Sequence, residues 1–144
     1  MVTLVRREFV VEARLQEAWN HLAQVERWPS WARHIRRVVV VPGGPLTGKS
    51  AGRIQLNNGL RSTFKMVEFN PGKNWKWDGP FLWLTVHYDH QFDTVGVDRT
   101  KLTWVVASEG FGESLVGKLF ARIYSRNLDM AIPRLINELR STPE

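Results

Sequence analysis

The sequence predicts an α+β domain of about seven antiparallel strands, with two short helices after the first strand and a long helix at the end. Three observations predict it. Residues 38–108 alternate β-branched or aromatic runs with turn signals, the strongest being Asn58-Gly59 between Ile54-x-Leu56 and Leu60. Trp19, Leu22 and Ala23 recur at helical spacing near the start. The last 30 or so residues carry apolar side chains at helical spacing, with no strand-like alternation.

Each element follows in order. Residues 2–13 read as a strand rich in Val and Phe. Residues 15–26 read as a helix, with Glu17 suited to its first turn. Trp28-Pro29 should end that helix, because the residue before proline avoids the helical region. Pro29 can then open a second short helix, through His34. Val38–Val41 starts the next strand. Pro42-Gly43-Gly44-Pro45, Asn70-Pro71-Gly72 and Asp78-Gly79-Pro80 are read as loops or turns, and Gly96-Val97-Asp98 separates strands at Leu82–Phe92 and Leu102–Ala107. In the final helix Leu115, Val116, Leu119, Phe120, Ile123 and Tyr124 form one stripe. Ile132, Leu135, Ile136 and Leu139 point to a rotated face, so a kink is expected at Pro133.

The 144 residues suit one domain, 1–144, and 43% hydrophobic content suits a globular core. With no cysteine, disulfides, a cysteine nucleophile and thiolate metal sites are excluded. No signal peptide and no membrane span are expected, which makes the cytoplasm the default location. Net charge is +6, yet the basic residues are spread out, the tightest group being Arg33, His34, Arg36 and Arg37. Base-reading motifs are missing, so neither nucleic acid nor integral membrane contact is expected, and the oligomeric state is open.

Gly43-Gly44-Pro45-Leu46-Thr47-Gly48-Lys49-Ser50 matches a phosphate-binding loop at every fixed position. That motif needs a helix after it, so that amides and dipole face the phosphates. Here Gly52 and a hairpin turn follow, and the match reads as a decoy.

Seven tryptophans stand in the chain: 19, 28, 31, 75, 77, 83 and 104. A buried indole needs a partner for its N–H, so a wall of a ligand cavity is favoured over plain core. In His87-Tyr88-Asp89-His90, strand alternation puts His87 and Asp89 outward as a solvated pair and Tyr88 and His90 inward. His90 is then a satisfied core group, a ligand hydrogen-bond partner, or a general acid/base. No carboxylate shares its face to orient it, and no third ligand suggests a metal, so no metal, no cofactor and no firm catalytic residue is expected. Glu68 follows the inward parity of Phe64 and Met66.

Several stretches resemble a known family. Ala13-x-x-x-Glu17-Ala18-Trp19 is similar to its strand-to-helix opening, with Arg14 in place of the usual proline. Glu26-Arg27-Trp28-Pro29-Ser30-Trp31, Met66-Val67-Glu68-Phe69-Asn70-Pro71 and Arg99-Thr100-Lys101-Leu102-Thr103-Trp104 resemble its later motifs. The order and spacing resemble the START-like, birch-pollen-allergen-like superfamily (SRPBCC), and within it the bacterial polyketide cyclase/dehydrase families. The resemblance implies a helix-grip fold, with the sheet curved around the long C-terminal helix. It also implies a hydrophobic ligand, lipid- or polyketide-like, since the superfamily holds carriers, receptors and a minority of enzymes.

The expected function is therefore to bind or carry a small apolar or aromatic molecule. Phe64, Met66, Trp75, Trp77, Tyr88, His90, Trp104, Phe120, Ile123 and Asn127 are expected to line one enclosed pocket. The alternative is a cyclase/dehydratase-type enzyme with His90 and Tyr88 moving protons and Glu68 as a further candidate.

Overall fold

The computed structural model describes residues 2–81, 84–109 and 115–140. β1 (Val2–Val11) leads into α1 (Leu15–Ala23) and a 3-10 turn (Val25–Ser30). β2 (Ile35–Val41), β3 (Ala51–Leu56), β4 (Arg61–Asn70), β5 (Asn74–Phe81), β6 (Leu84–Gly96) and β7 (Arg99–Glu109) follow, then α2 (Leu115–Arg140). All pairings are antiparallel, in the order β1-β7-β6-β5-β4-β3-β2, so β1 and β2 are the edges. The expected α+β class and helix-grip architecture hold, with a curved sheet gripping α2.

Local chemistry explains the framework. Arg14 sits at φ −66° and ψ 154°, the backbone that proline prefers, so the arginine supplies by conformation what the family's proline supplies by its ring. Gly59 closes the β3–β4 hairpin at φ 90°, a region nearly closed to other residues. The Asn58 side chain accepts the Leu60 N–H at 3.0 Å in the same turn.

Three expectations about elements are corrected. α1 ends at Ala23, and Pro29 lies inside the 3-10 turn rather than opening a helix through His34. Trp28 holds this tighter path: its indole N–H donates to the Leu22 carbonyl at 2.9 Å. Asp78-Gly79-Pro80 belongs to β5. The β4 pairing stops at Lys65–Asp78, so Pro80 pairs only with β6 and its missing N–H interrupts no ladder on the β4 side. The third concerns α2, which runs through Pro133 with a single buried stripe: Gly117, Phe120, Leu128, Ala131, Leu135 and Leu139, with half-buried Tyr124 between. No face rotates at Pro133, and the motive for a kink disappears.

That stripe holds α2 more than its ion pairs do. Arg7 reaches Asp129 at 3.0 Å and Arg140 reaches Glu12 at 3.1 Å, all on exposed side chains or nearly so. Such pairs contribute about 0–1 kcal/mol each, against about 1.5–3 kcal/mol for each buried leucine.

Gly52 sets the inner wall. A Cβ there would lie 2.1 Å from the Val39 carbonyl oxygen and 2.8 Å from the Phe64 ring. The absent side chain lets Phe64 lie across β3 and onto Trp77, 4.5 Å between ring centres. Gly52→Ala should destabilise the protein by about 2 kcal/mol, as overpacking does. A urea midpoint within about 0.5 kcal/mol of wild type, at unchanged slope, would contradict this.

Candidate functional site

The inner face of the sheet is read from the register. Phe64–Gly52, Met66–Trp77, Trp77–Tyr88, Trp75–His90 and His90–Trp104 are cross-strand partners, so these side chains share one face. A β-bulge between Met66 and Glu68 then reverses the parity of β4. Phe69, not Glu68, takes the inward place beside Trp75. Glu68 is exposed and accepts from Asn74 at 2.7 Å, with Lys76 at 3.9 Å. The expectation of an inward Glu68 is thus overturned, and with it the only acid assigned to the interior.

The interior is built of stacked and edge-on rings. His90 is surrounded by four indoles: Trp77 at 4.8 Å, Trp75 at 5.3 Å, and Trp28 and Trp104 at 6.0 Å between ring centres. Trp31 reaches Trp28 at 5.4 Å and Trp104 at 5.8 Å, and Trp19 backs Trp75 at 4.9 Å. A second group lies against α2. There Phe120 meets Phe81 at 4.8 Å, Tyr124 at 5.4 Å and Tyr88 at 6.5 Å, while Tyr88 meets Tyr124 at 5.7 Å. Burial raises the Tyr124 phenol, and burial with Tyr124 beside it raises the Tyr88 phenol, so both stay neutral.

Polar groups in the first ring cluster are few and poorly met. Trp75 Nε1, Trp104 Nε1 and His90 Nδ1 are buried without a hydrogen-bond partner among the described residues. Burial lowers the His90 pKa to about 4, against smaller opposing effects of Asp89 and a Trp75 backbone hydrogen bond. The imidazole is therefore neutral at pH 7. Among the described residues, no group of three or more His, Cys, Asp or Glu side chains could hold a metal ion.

The ten residues expected in one pocket divide. Phe64, Met66, Trp75, Trp77, His90 and Trp104 are buried in the aromatic interior, while Tyr88 and Phe120 belong to the α2 group. Ile123 is 50% exposed, because the buried stripe runs through Phe120, Tyr124 and Leu128, to one side of it. Asn127, half-buried on the same flank, lines a surface cleft with Trp31 and Arg134. Trp28 and Trp31 were expected as cavity wall only with the tryptophans as a group, and Tyr124 only as part of the apolar stripe; Phe69 was not anticipated at all, and Tyr124 could have been placed in the site, standing four residues after Phe120. Trp83 lies outside the described residues.

The outer face differs again. His87 and Asp89 are not a mutual pair. His87 bonds Asp78 at 2.5 Å across β5 and lies 3.5 Å from Glu109, while Asp89 accepts from Asn74 at 3.0 Å and Gln91 at 2.7 Å. The phosphate-loop match is spent on itself: Ser50 Oγ accepts the Thr47 N–H at 2.8 Å, Thr47 Oγ1 accepts the Lys49 N–H at 3.2 Å, and β3 starts at Ala51 with no helix.

Comparisons with known proteins agree with this architecture. No curated protein matches the chain. Among solved structures, hypothetical protein jhp0584 from Helicobacter pylori superposes with a TM-score of 0.76 at 13% identity, over 93% of this chain and 86% of that one. The ZhuI aromatase/cyclase from Streptomyces sp. R1128 gives 0.69 at 17% identity, over 94% and 92%. DynU16, from the dynemicin biosynthetic locus, gives 0.70 at 19% identity, over 95% of this chain and 47% of that one, so this chain spans about half its length. At these identities the likeness establishes the fold. The sequence itself carries the relationship further: a family model described as polyketide cyclase / dehydrase and lipid transport matches residues 2–134, and the chain belongs to that family.

Proposed function

We propose that the protein binds or carries a small apolar or aromatic molecule, lipid- or polyketide-like, between the inner face of the sheet and α2. One observation carries this: a cluster of aromatic rings around His90 in which Trp75 Nε1, Trp104 Nε1 and His90 Nδ1 have no hydrogen-bond partner among the described residues. An unmet buried donor costs about 1–3 kcal/mol. A molecule with a flat apolar body and one or two acceptor oxygens would recover that cost, and its π-face would suit the indoles. No helix among the described residues is long and apolar enough to cross a membrane.

The cyclase or dehydratase alternative keeps Tyr88 and His90, which share the inner face, and gains weight from the aromatase/cyclase fold match. It loses Glu68 and any carboxylate to orient His90, so binding is preferred to catalysis. An apolar fluorescent probe should bind one to one, quench the tryptophan emission, and be competed by the small molecule that native mass spectrometry finds on the purified protein. If no probe binds and no small molecule accompanies the protein, the reading fails.

A further inference from the structure

Four of the nine large hydrophobic side chains exposed among the described residues lie on α2: Leu115, Leu119, Ile123 and Met130, between 50% and 85% exposed. The others are dispersed over β2, β4, β6 and the turns at Leu60 and Val97. Single exposed apolar side chains are ordinary, whereas a contiguous set marks a contact surface. At about 100° per residue, the four on α2 fall within about 80° of the helix circumference and run along about 22 Å. They stand opposite the buried Gly117, Leu128 and Leu135.

We propose that this face of α2 docks onto the surface of an anionic lipid bilayer, lying in the plane of the headgroups. The charge on the same face carries the choice of occupant. Leu115-x-x-Lys118, Leu119-x-x-Arg122 and Ile123-x-x-Arg126 repeat one pattern at four-residue spacing, and all six side chains are exposed. Residues three apart are neighbours on a helix surface, so each apolar side chain has a cation beside it. From Leu115 to Asn137 the only carboxylate is Asp129, and Arg7 holds it at 3.0 Å.

Other occupants fit this face less well. A nucleic acid would take the cations and leave the apolar side chains in water. A second copy in an isologous contact would meet the face with itself and set three cations against three. Anionic lipid takes both kinds of side chain. Headgroup phosphates and carboxylates attract Lys118, Arg122 and Arg126, whose long stems lie along apolar surface, while Leu119, Ile123 and Met130 enter the acyl boundary. No helix among the described residues is long and apolar enough to cross a membrane, so α2 lies on the surface and does not span. Its opposite face stays engaged with the rest of the fold through Phe120 and Tyr124, which stack against Phe81 and Tyr88. Docking of this kind is independent of what the interior holds.

The test is co-sedimentation of the full chain with vesicles of phosphatidylcholine, alone or with about one part in three of phosphatidylserine. Binding should require phosphatidylserine and weaken with added salt. Lys118→Gln, Arg122→Gln and Arg126→Gln should each weaken it about fivefold, the effect of one cation at such a surface. Leu119→Asn with Ile123→Asn should weaken it about tenfold at unchanged charge. Arg36→Gln with Arg37→Gln, which removes two exposed cations from β2, should leave it unchanged. Equal losses from the β2 pair and the α2 cations, binding that survives the Leu119 and Ile123 changes, or no binding to either vesicle would overturn the proposal. The chain has no cysteine, so a nitroxide attached to Ile123→Cys reports the contact directly. Vesicles should shield it from an aqueous relaxation agent, while a nitroxide on Val67→Cys of β4 stays accessible. A label at 123 that stays accessible on vesicle-bound protein, or that is shielded without vesicles by a second copy or by duplex DNA, would overturn the proposal.

Discussion

Trp75→Ala should cost about 4 kcal/mol of stability, whereas Trp75→Phe should cost less than about 1 kcal/mol. Trp75 is fully buried, with Trp19 at 4.9 Å and His90 and Phe92 at 5.3 Å around it. Truncation to alanine removes a large apolar surface and leaves a void that surrounding indoles cannot close, the situation in which aromatic-to-alanine changes cost about 3–5 kcal/mol. Phenylalanine keeps the ring and deletes the indole N–H, which has no hydrogen-bond partner among the described residues. Deleting an unmet donor returns about 1–3 kcal/mol, which offsets most of the lost packing. Denaturant unfolding of both variants, without added ligand, measures the contrast. A phenylalanine variant as damaged as the alanine one would show that the N–H is bonded in solution, and the interior would not be the unmet aromatic box described.

The contrast between the two variants depends on features the sequence showed unevenly. Turns were readable because their chemistry is local: Asn58-Gly59 lies between β3 and β4, and Pro71-Gly72 and Val97-Asp98 follow directly on the last residues of β4 and β6, Asn70 and Gly96. Inward parity was readable on β5, β6 and β7, where alternation is uninterrupted between Trp75 and Trp77, Tyr88 and Phe92, and Leu102 and Val106. It failed on β4, since a bulge at Val67 is a relation between two strands and leaves no mark on one. Thus Glu68 was placed inside and Phe69 was missed.

On α2 the difficulty was different. Leu115, Leu119 and Ile123 are large and apolar, and they drew the expected stripe toward themselves, yet all three are exposed. The buried stripe includes Gly117 and Ala131, whose small size lets the helix approach its neighbours but gives a weak hydrophobic signal. The cleft that Trp31 shares with Asn127 and Arg134 was beyond reach, because its halves are about a hundred residues apart in the chain and meet only in the fold.

His90 should make the protein sensitive to acid in a window that a neutral replacement abolishes. The groups facing it from the 3-10 turn, β5 and β7 are Trp28, Trp75, Trp77 and Trp104, none of them charged, and Asp89 lies on the opposite face of its own strand. Indole faces attract a cation by about 0.5–2 kcal/mol, but an unpaired buried charge costs several kcal/mol, so the neutral form wins and the pKa falls from 6.5 to about 4. Because the folded value lies below the unfolded one, the unfolded chain binds the proton first. The stability conferred by neutral His90 is complete above pH 6.5 and is lost progressively as pH falls toward 4, by about 3 kcal/mol at about 1.4 kcal/mol per pH unit. His90→Gln keeps a polar side chain of similar size and cannot charge. Its stability should therefore fall about 3 kcal/mol less than that of the wild type between pH 7 and 4, with the other histidines and carboxylates common to both. Parallel curves would contradict the argument. Should the glutamine variant fold poorly, a direct NMR titration of the wild-type imidazole decides instead: a midpoint near 6.5 would mean that His90 meets water or a counter-charge, and a midpoint near 4 would place it in the dry ring of tryptophans.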